Sequence, residues 1–432
     1  MLSLLHETDS QTSRHDIFLI QYTELSARLY GISNFRGRER LVRTDVQTPG
    51  YMRAPYEHPA AFAVESLVDE LAYCLGQDPV ALRLANDATA DPITCRPYSS
   101  RHLAECLRRG AARFGCDQRS MAPGSTRAAD GSLVGWGVAI GAYKAATAPV
   151  IAKLRFTAEG AVAIGLGGHE MGQGICNTVV AIVQRRLGVE PGRITVEIGR
   201  TGLTPQHLTA GSWGTATVVP AADEACDALL RELEGPPNGP SPAERLRAAG
   251  RPFLEVEVRR RAPGQPEAVM QRLATGLPAA AGPAYPEFVS FSHVAHFVEV
   301  RIEPGTRRIR VPRVVSVTDC GRVVSPPHGS QPVAWRRGLG HRRGIAGGER
   351  GGPAPWRLPQ RRYGRVCAPC ACRNRQYRGR FCGCARSASE PAGVKGLGEV
   401  AMVGVPPAIA NAVHHATGRR LRSLPIRVED LL

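Results

Sequence analysis

Val150-Ile151-Ala152-Lys153-Leu154-Arg155-Phe156, the turn Glu159-Gly160, and Ala161-Val162-Ala163-Ile164-Gly165 set apolar side chains at alternate positions. Period-two alternation around a glycine turn predicts two strands joined as a hairpin. The chain then passes through Gly167-Gly168-His169-Glu170-Met171-Gly172-Gln173-Gly174 into Ile175 to Leu187, an apolar-periodic stretch that predicts a helix, and on to a strand over Ile194 to Ile198. A second loop of small residues, Thr209-Ala210-Gly211-Ser212-Trp213-Gly214-Thr215, opens a further helix, Val218 to Leu233. Strands and helices interleaved in this way make the chain an α+β (mixed α/β) protein. Glycines in the 167–174 loop let a ligand approach the backbone, and the amides opening the next helix favour an anionic group. The simpler reading of such a loop is turn chemistry, and two of them in one domain strengthen the ligand reading.

Upstream, Leu25 to Tyr30 predicts a short helix after a strand-like run, Ile17 to Ile20. Val64, Leu67, Val68, Leu71, Ala72 and Leu75 recur at three-and-four spacing, one face of a helix over His58 to Leu75 capped by Gly76. Asp78-Pro79 supplies an N-cap and first-turn proline for a second helix through Leu84. A third runs from Ser100 to Phe114 and stops at Gly115, and the Gly/Ala/Ser/Arg stretch from Cys116 to Gly131 reads as a linker. Downstream, residues 235–286 show no clear period beyond Leu254 to Val258. Phe288 to Val300 and Ile309 to Val317 predict strands, and Pro406 to Thr417 a helix ended by Gly418.

The 432 residues allow two or three domains. A net charge of +17 taken whole points to nucleic acid or an anionic surface. The charge is uneven, however: 14 Arg against one Glu between Gln331 and Ser389 supply +13 of it, leaving an ordinary +4 for the rest. Five of the 12 Cys lie in the same segment (Cys367, Cys370, Cys372, Cys382, Cys384), and the other seven show no paired spacing, which fits reduced thiols. No apolar run is long enough to span a bilayer, and the N-terminus lacks a signal-peptide pattern, so the expected location is cytoplasmic with no membrane association.

Two further loops can carry chemistry. Gly393-Val394-Lys395-Gly396-Leu397-Gly398-Glu399 projects a lone carboxylate from a tight turn, as a general base requires. Tyr51-Met52-Arg53-Ala54-Pro55 holds an arginine in an extended segment ahead of a helix. Taken singly, a solvated Glu and a surface Arg are the simpler readings of these two.

The four loops in this order, with Gly135-Trp136-Gly137, Thr318-Asp319-Cys320-Gly321 and Ala410-Asn411-Ala412-Val413, resemble the molybdenum-binding large subunit of the xanthine dehydrogenase and aldehyde oxidase family. The resemblance implies two molybdopterin-binding domains, the first incomplete: residues 1–115 as the end of the first, 116–131 as linker, and 132–432 as the second. It implies a molybdenum–molybdopterin cofactor, in bacterial relatives the cytosine dinucleotide form, and partner subunits carrying iron–sulfur clusters and FAD. The reaction implied is oxidative hydroxylation of an aldehyde or N-heteroaromatic small molecule with water-derived oxygen. Glu399 matches the catalytic base, and Gln173, flanked by Gly172 and Gly174, matches the residue that meets the metal through its oxo ligand. Gly211 and Ser212 match the loop lying against the cofactor, and Arg53 the arginine lining the pocket.

The chain departs from the family pattern in three ways. It starts inside the first domain, it has Tyr56 where a glycine usually follows Arg-Ala-Pro, and the segment 331–389 has no periodicity and almost no acid. Such a mixture suits a GC-rich gene read out of frame, and an inactive gene remnant is the alternative reading. A zinc or nucleic-acid module built on the clustered Cys and Arg is the rival for that segment, but its cysteine spacing is not a standard zinc pattern. Nucleic acid is therefore not the expected partner.

Overall fold

Two four-stranded sheets organise the chain in a computed structural model that describes residues 22–32, 34–38, 53–200, 202–233, 239–262, 264–277, 279, 285–324, 376–381 and 393–432. Four helices come first: α1 (Tyr22–Leu29), α2 (Glu57–Cys74), α3 (Pro79–Ala85) and α4 (Leu103–Phe114). There follow β1 (Leu133–Lys144), β2 (Val150–Thr157), β3 (Val162–Leu166), α5 (Ile175–Leu187), β4 (Ile194–Glu197), α6 (Gly214–Glu232) and α7 (Pro242–Ala248). The order continues with β5 (Phe253–Arg260), α8 (Glu267–Ala274), β6 (Phe291–Ile302), β7 (Ile309–Asp319), β8 (Gln376–Phe381) and α9 (Val405–Thr417). The expected strand over Ile17 to Ile20, and the segment 331–389 apart from β8, lie outside the described residues.

The predicted hairpin is present: β2 and β3 pair antiparallel from Ala152–Leu166 to Phe156–Val162, around a turn with Gly160 at φ 81°. This sheet has the order β4-β3-β2-β5, and its apolar side chains (Leu154, Ile164, Leu166, Val256) pack with Val179, Ile182 and Val183 of α5 and Val218, Ala222 and Leu229 of α6. The helix α6 begins at Gly214, earlier than the sequence suggests, because the loop of small residues turns directly into it.

The other sheet has the order β1-β6-β7-β8, with β8 parallel to β7. Both of its faces are covered. Val138, Ile140, Phe297, Val315 and Val317 pack with Leu25, Leu29, Val64, Leu103 and Leu107 of the N-terminal helices, while Ala139, Val298, Val300 and Val314 pack against Ala408, Ile409, Ala412 and Val413 of α9. The approach of α9 explains the glycines of β1. A Cβ at Gly137 would fall on the carbonyl oxygen of Ala408 and one at Gly135 on that of Ala412, so only glycine lets helix and strand backbones meet there, and one at Gly141 would lie 2.5 Å from the carbonyl oxygen of Val403 in the turn before α9.

Capping follows the sequence closely. Asp78 accepts from the amides of Val80 (2.8 Å) and Ala81 (3.0 Å) at the start of α3, and Gly115 closes α4 in the left-handed conformation. The sequence differs from the structure in the 235–286 stretch, which holds α7 and α8. Here α7 opens on a capping box between Ser241 and Glu244. Within the Arg-rich segment, where no periodicity was read, the structure has a strand: Gln376–Phe381 pairs with Arg313 to Thr318, its period of Tyr377, Gly379 and Phe381 hidden among arginines.

Candidate active site

Three loops distant in sequence meet at the Tyr143 end of β1. Glu399 sits at their junction: its Oε1 accepts the backbone N–H of Ala54 at 2.9 Å, and its Oε2 accepts the Ser212 hydroxyl at 3.2 Å. Arg53 adds a positive charge beside the same carboxylate, with burial pulling its guanidinium below its usual range and Glu399 pulling it back up. Tyr143, buried at the end of β1, is also hydrogen-bonded to Glu399, and burial together with the charges of Glu399 and Glu57 keeps its phenol protonated far beyond neutral pH. Arg53, Ala54 and Ser212 all have positive φ (40°, 51° and 61°), a conformation uncommon outside glycine and costly enough to cluster where function demands it.

The loop that carries Glu399 is bolted down four residues earlier. Lys395 Nζ lies 3.0 Å from Asp319 Oδ2 in a fully buried ion pair, and Val394 bridges to Gly321 beyond the end of β7. Burial alone would raise Asp319, but His293, its Nδ1 3.8 Å away, and Lys395 outweigh it and hold the carboxyl well below the usual range. His293 is pushed down to about 3 by burial and by Arg101, so it is a neutral ring whose Nε2 faces Arg101 Nη1 at 3.0 Å. Two glycines let the loop close on its neighbour. A Cβ at Gly396 would come within 2.7 Å of Ser212 O, and one at Gly398 within 2.6 Å of Ser212 Oγ.

Gly172, Gln173 and Gly174 form the turn into α5. The Gln173 side chain closes on its own loop, donating to His169 O and accepting from Met171 N, each at 2.5 Å. Glu170 caps the helix by accepting from Gly172 N (2.8 Å), Gly174 N (3.1 Å) and Cys176 N (3.2 Å). Burial pushes that carboxyl up, yet these amides hold it below its ordinary value. The loop is tied to the second one through His169 N and Thr209 Oγ1 at 2.8 Å. Gly211 and Ser212 therefore link the Gln173 loop to Glu399, while the hydrogen bonds of Gln173 itself stay within its turn.

The residues present suit a large polar ligand. His207 is fully buried beside Gly167 and Gly168, and neither ring nitrogen has a hydrogen-bond partner among the described residues. Burial lowers it to about 4, leaving a neutral ring with one donor and one acceptor to offer. Gly172 faces open space. Sequence reading alone leaves out Ala54 N–H, Tyr143, Glu57, Glu170 and His207. Only Glu170 carries a local signal, an acid placed just before a helix start.

The sequence profile of the molybdopterin cofactor-binding domain matches residues 109–328, and a second profile of the same description matches residues 10–87. The chain belongs to the molybdopterin cofactor-binding family. Among curated relatives, the aldehyde oxidoreductase molybdenum-binding subunit PaoC of Escherichia coli (strain K12) is 31% identical over 96% of this chain and 56% of its own length. The putative xanthine dehydrogenase molybdenum-binding subunit XdhA of the same organism is 30% identical over 48% of this chain and 28% of its own length. The chain thus spans little more than half the length of PaoC. Its fold is that of the aldehyde oxidoreductase from Desulfovibrio desulfuricans, with a TM-score of 0.74 at 22% identity over 95% of this chain and 44% of that one. Among the described residues, no helix of this molybdopterin-binding chain is long and apolar enough to cross a membrane.

Proposed function

We propose that this chain carries the molybdopterin site of an oxidative hydroxylase that inserts water-derived oxygen into an aldehyde or N-heteroaromatic substrate. The observation that carries the reading is the seat of Glu399, one oxygen on the Ala54 amide and the other on the Ser212 hydroxyl, with Arg53 alongside. The molybdenum-binding aldehyde oxidoreductase subunits among its relatives support the substrate class. Gly172, Gln173, Gly174, Gly211 and Ser212 would hold the cofactor, with the Gln173 side-chain amide as the polar group on the metal's side. When bound, the cofactor supplies an electron acceptor and a metal that makes a hydroxide nucleophile available near neutral pH.

The chain's own residues do the rest. Glu399 accepts a proton from the water-derived nucleophile, the Ala54 N–H and Ser212 hydroxyl fix the direction in which its oxygens face, and Arg53 orients the substrate's polar end. The cofactor takes the cytosine dinucleotide form, electrons pass to separate iron–sulfur and FAD subunits, and the complex works in the cytoplasm. Residues 1–115 belong to the first molybdopterin-binding domain and 132–432 to the second, joined through 116–131.

The test pairs metal analysis with turnover. Purified with its partner subunits, the protein should contain molybdenum and pterin and oxidise aldehydes. Glu399→Gln should keep the metal and pterin while losing about 10²–10⁴-fold in turnover, the range for a general base. A protein without molybdenum, or a Glu399→Gln variant of near-normal turnover, would overturn the reading.

A further inference from the structure

Glu57 opens α2 four residues after Arg53 and is only 6% exposed. Its Oε2 is buried with no hydrogen-bond partner among the described residues. An acid in the first turn of a helix ordinarily ionises, because the free amides there favour negative charge. Burial overrides that preference. It raises the carboxyl to about 7 against the opposing pull of its own backbone amide and of Lys144, and the charge of Glu399 pushes it further up.

The groups that act on Glu57 come from each element packed around it: Glu399 from the loop before α9, Lys144 and Tyr143 from the end of β1, and the Tyr56 and Glu57 amides from α2 itself. Tyr143 feels both carboxyls and is hydrogen-bonded to Glu399, so the buried Glu57 and the half-buried Glu399 act on the same buried phenol at the end of β1. Two carboxylates close together in such a place cannot both be charged without a large penalty. A base that must gain and lose a proton each cycle benefits from a neighbour able to take up the charge it gives away.

We propose that Glu57 is the second carboxyl of this site, holding a proton beside the Glu399 carboxylate and releasing it to water when Glu399 takes one from the nucleophile. The inference rests on Glu399 being the base. Protons balance: the O–H bond formed at Glu399 is matched by the one broken at Glu57, one proton reaches solvent, and the pair carries one negative charge before and after. Tyr143 is a positioning residue, its hydroxyl fixing the Glu399 carboxylate between the two states.

The experiment compares the wild-type protein with Glu57→Gln in two readouts. The first is the thermal unfolding midpoint from pH 5 to 8.5. A carboxyl raised in the folded state contributes stability that is present below its ordinary range and is lost as the pH rises through about 7. The wild type should therefore fall by a few degrees relative to Glu57→Gln across that interval. The second is the pH dependence of kcat, in which the inflection near neutrality should vanish in the variant while KM holds. Parallel unfolding curves and an unchanged pH profile would overturn the inference. Absence of turnover in the wild type would instead count against the hydroxylase reading, and the unfolding curves would still decide the state of Glu57. Should Glu57→Gln not accumulate, Lys144→Met serves: removing the cation should move the wild-type inflection to higher pH, and an unmoved inflection would refute the assignment.

Discussion

Glu57 and Glu65 lie on one helix, about two turns apart, and both are buried, yet their surroundings are opposite. Glu65 is completely provided for. Its carboxylate accepts the Tyr30 hydroxyl, the Arg83 Nε at 2.9 Å and the Ile140 N–H at 2.8 Å, and its carbonyl accepts Asn411 at 3.2 Å. The elements α3, β1 and α9 and the residue that follows α1 are joined through that one residue. Glu57 has a bare oxygen and a carboxylate for a neighbour. A buried acid with donors on both oxygens and a matching cation is scaffolding. One left short of partners stays ready to titrate, and α2 spends its first turn on chemistry and its middle on architecture.

The largest effect is expected at Arg83. Arg83→Leu leaves the Glu65 carboxylate buried without its cation, and denaturant unfolding should show a loss of about 3–5 kcal/mol. The same substitution should leave the neutral-pH inflection assigned to Glu57 where it is. A milder blow to the same architecture is Asp78→Ala, which removes the side-chain cap of the helix that carries Arg83. It should cost about 1 kcal/mol in the same assay, with full recovery on Asp78→Asn. If instead either change moved the inflection, the two ends of α2 would not be the separate regions described above.

The scaffolding was far more legible in the sequence than the site. Asp78-Pro79, Gly115, Glu159-Gly160 and Gly418 are local signals that need only their immediate neighbours to act, and each ends or starts an element where it was expected. The strand β1 was hidden because Gly135, Gly137 and Gly141 dilute the alternation, and their purpose is the backbone of α9 and of the turn before it, far along the chain. Short α7 and α8 were masked by a background of Pro, Gly and Ala, although the Ser241–Glu244 box was there to be read. Of the site, Arg53, Ser212 and Glu399 emerge from resemblance, and the structure brings these three together. Their hydrogen bonds could not be read, because the partners are separated by 187 and 345 positions. Glu57 and Tyr143 carry no motif at all. Only folding places them beside Glu399.

The most direct test of the contrast is infrared titration of the carboxyl groups in the intact protein between pH 5.5 and 8.5, wild type against Glu57→Gln. A protonated-carboxyl band should disappear in the wild type with a midpoint of about 7 and be missing from Glu57→Gln throughout. A wild type with no such band, or a band that survives the substitution, would contradict the claim that Glu57 holds the spare proton of the site.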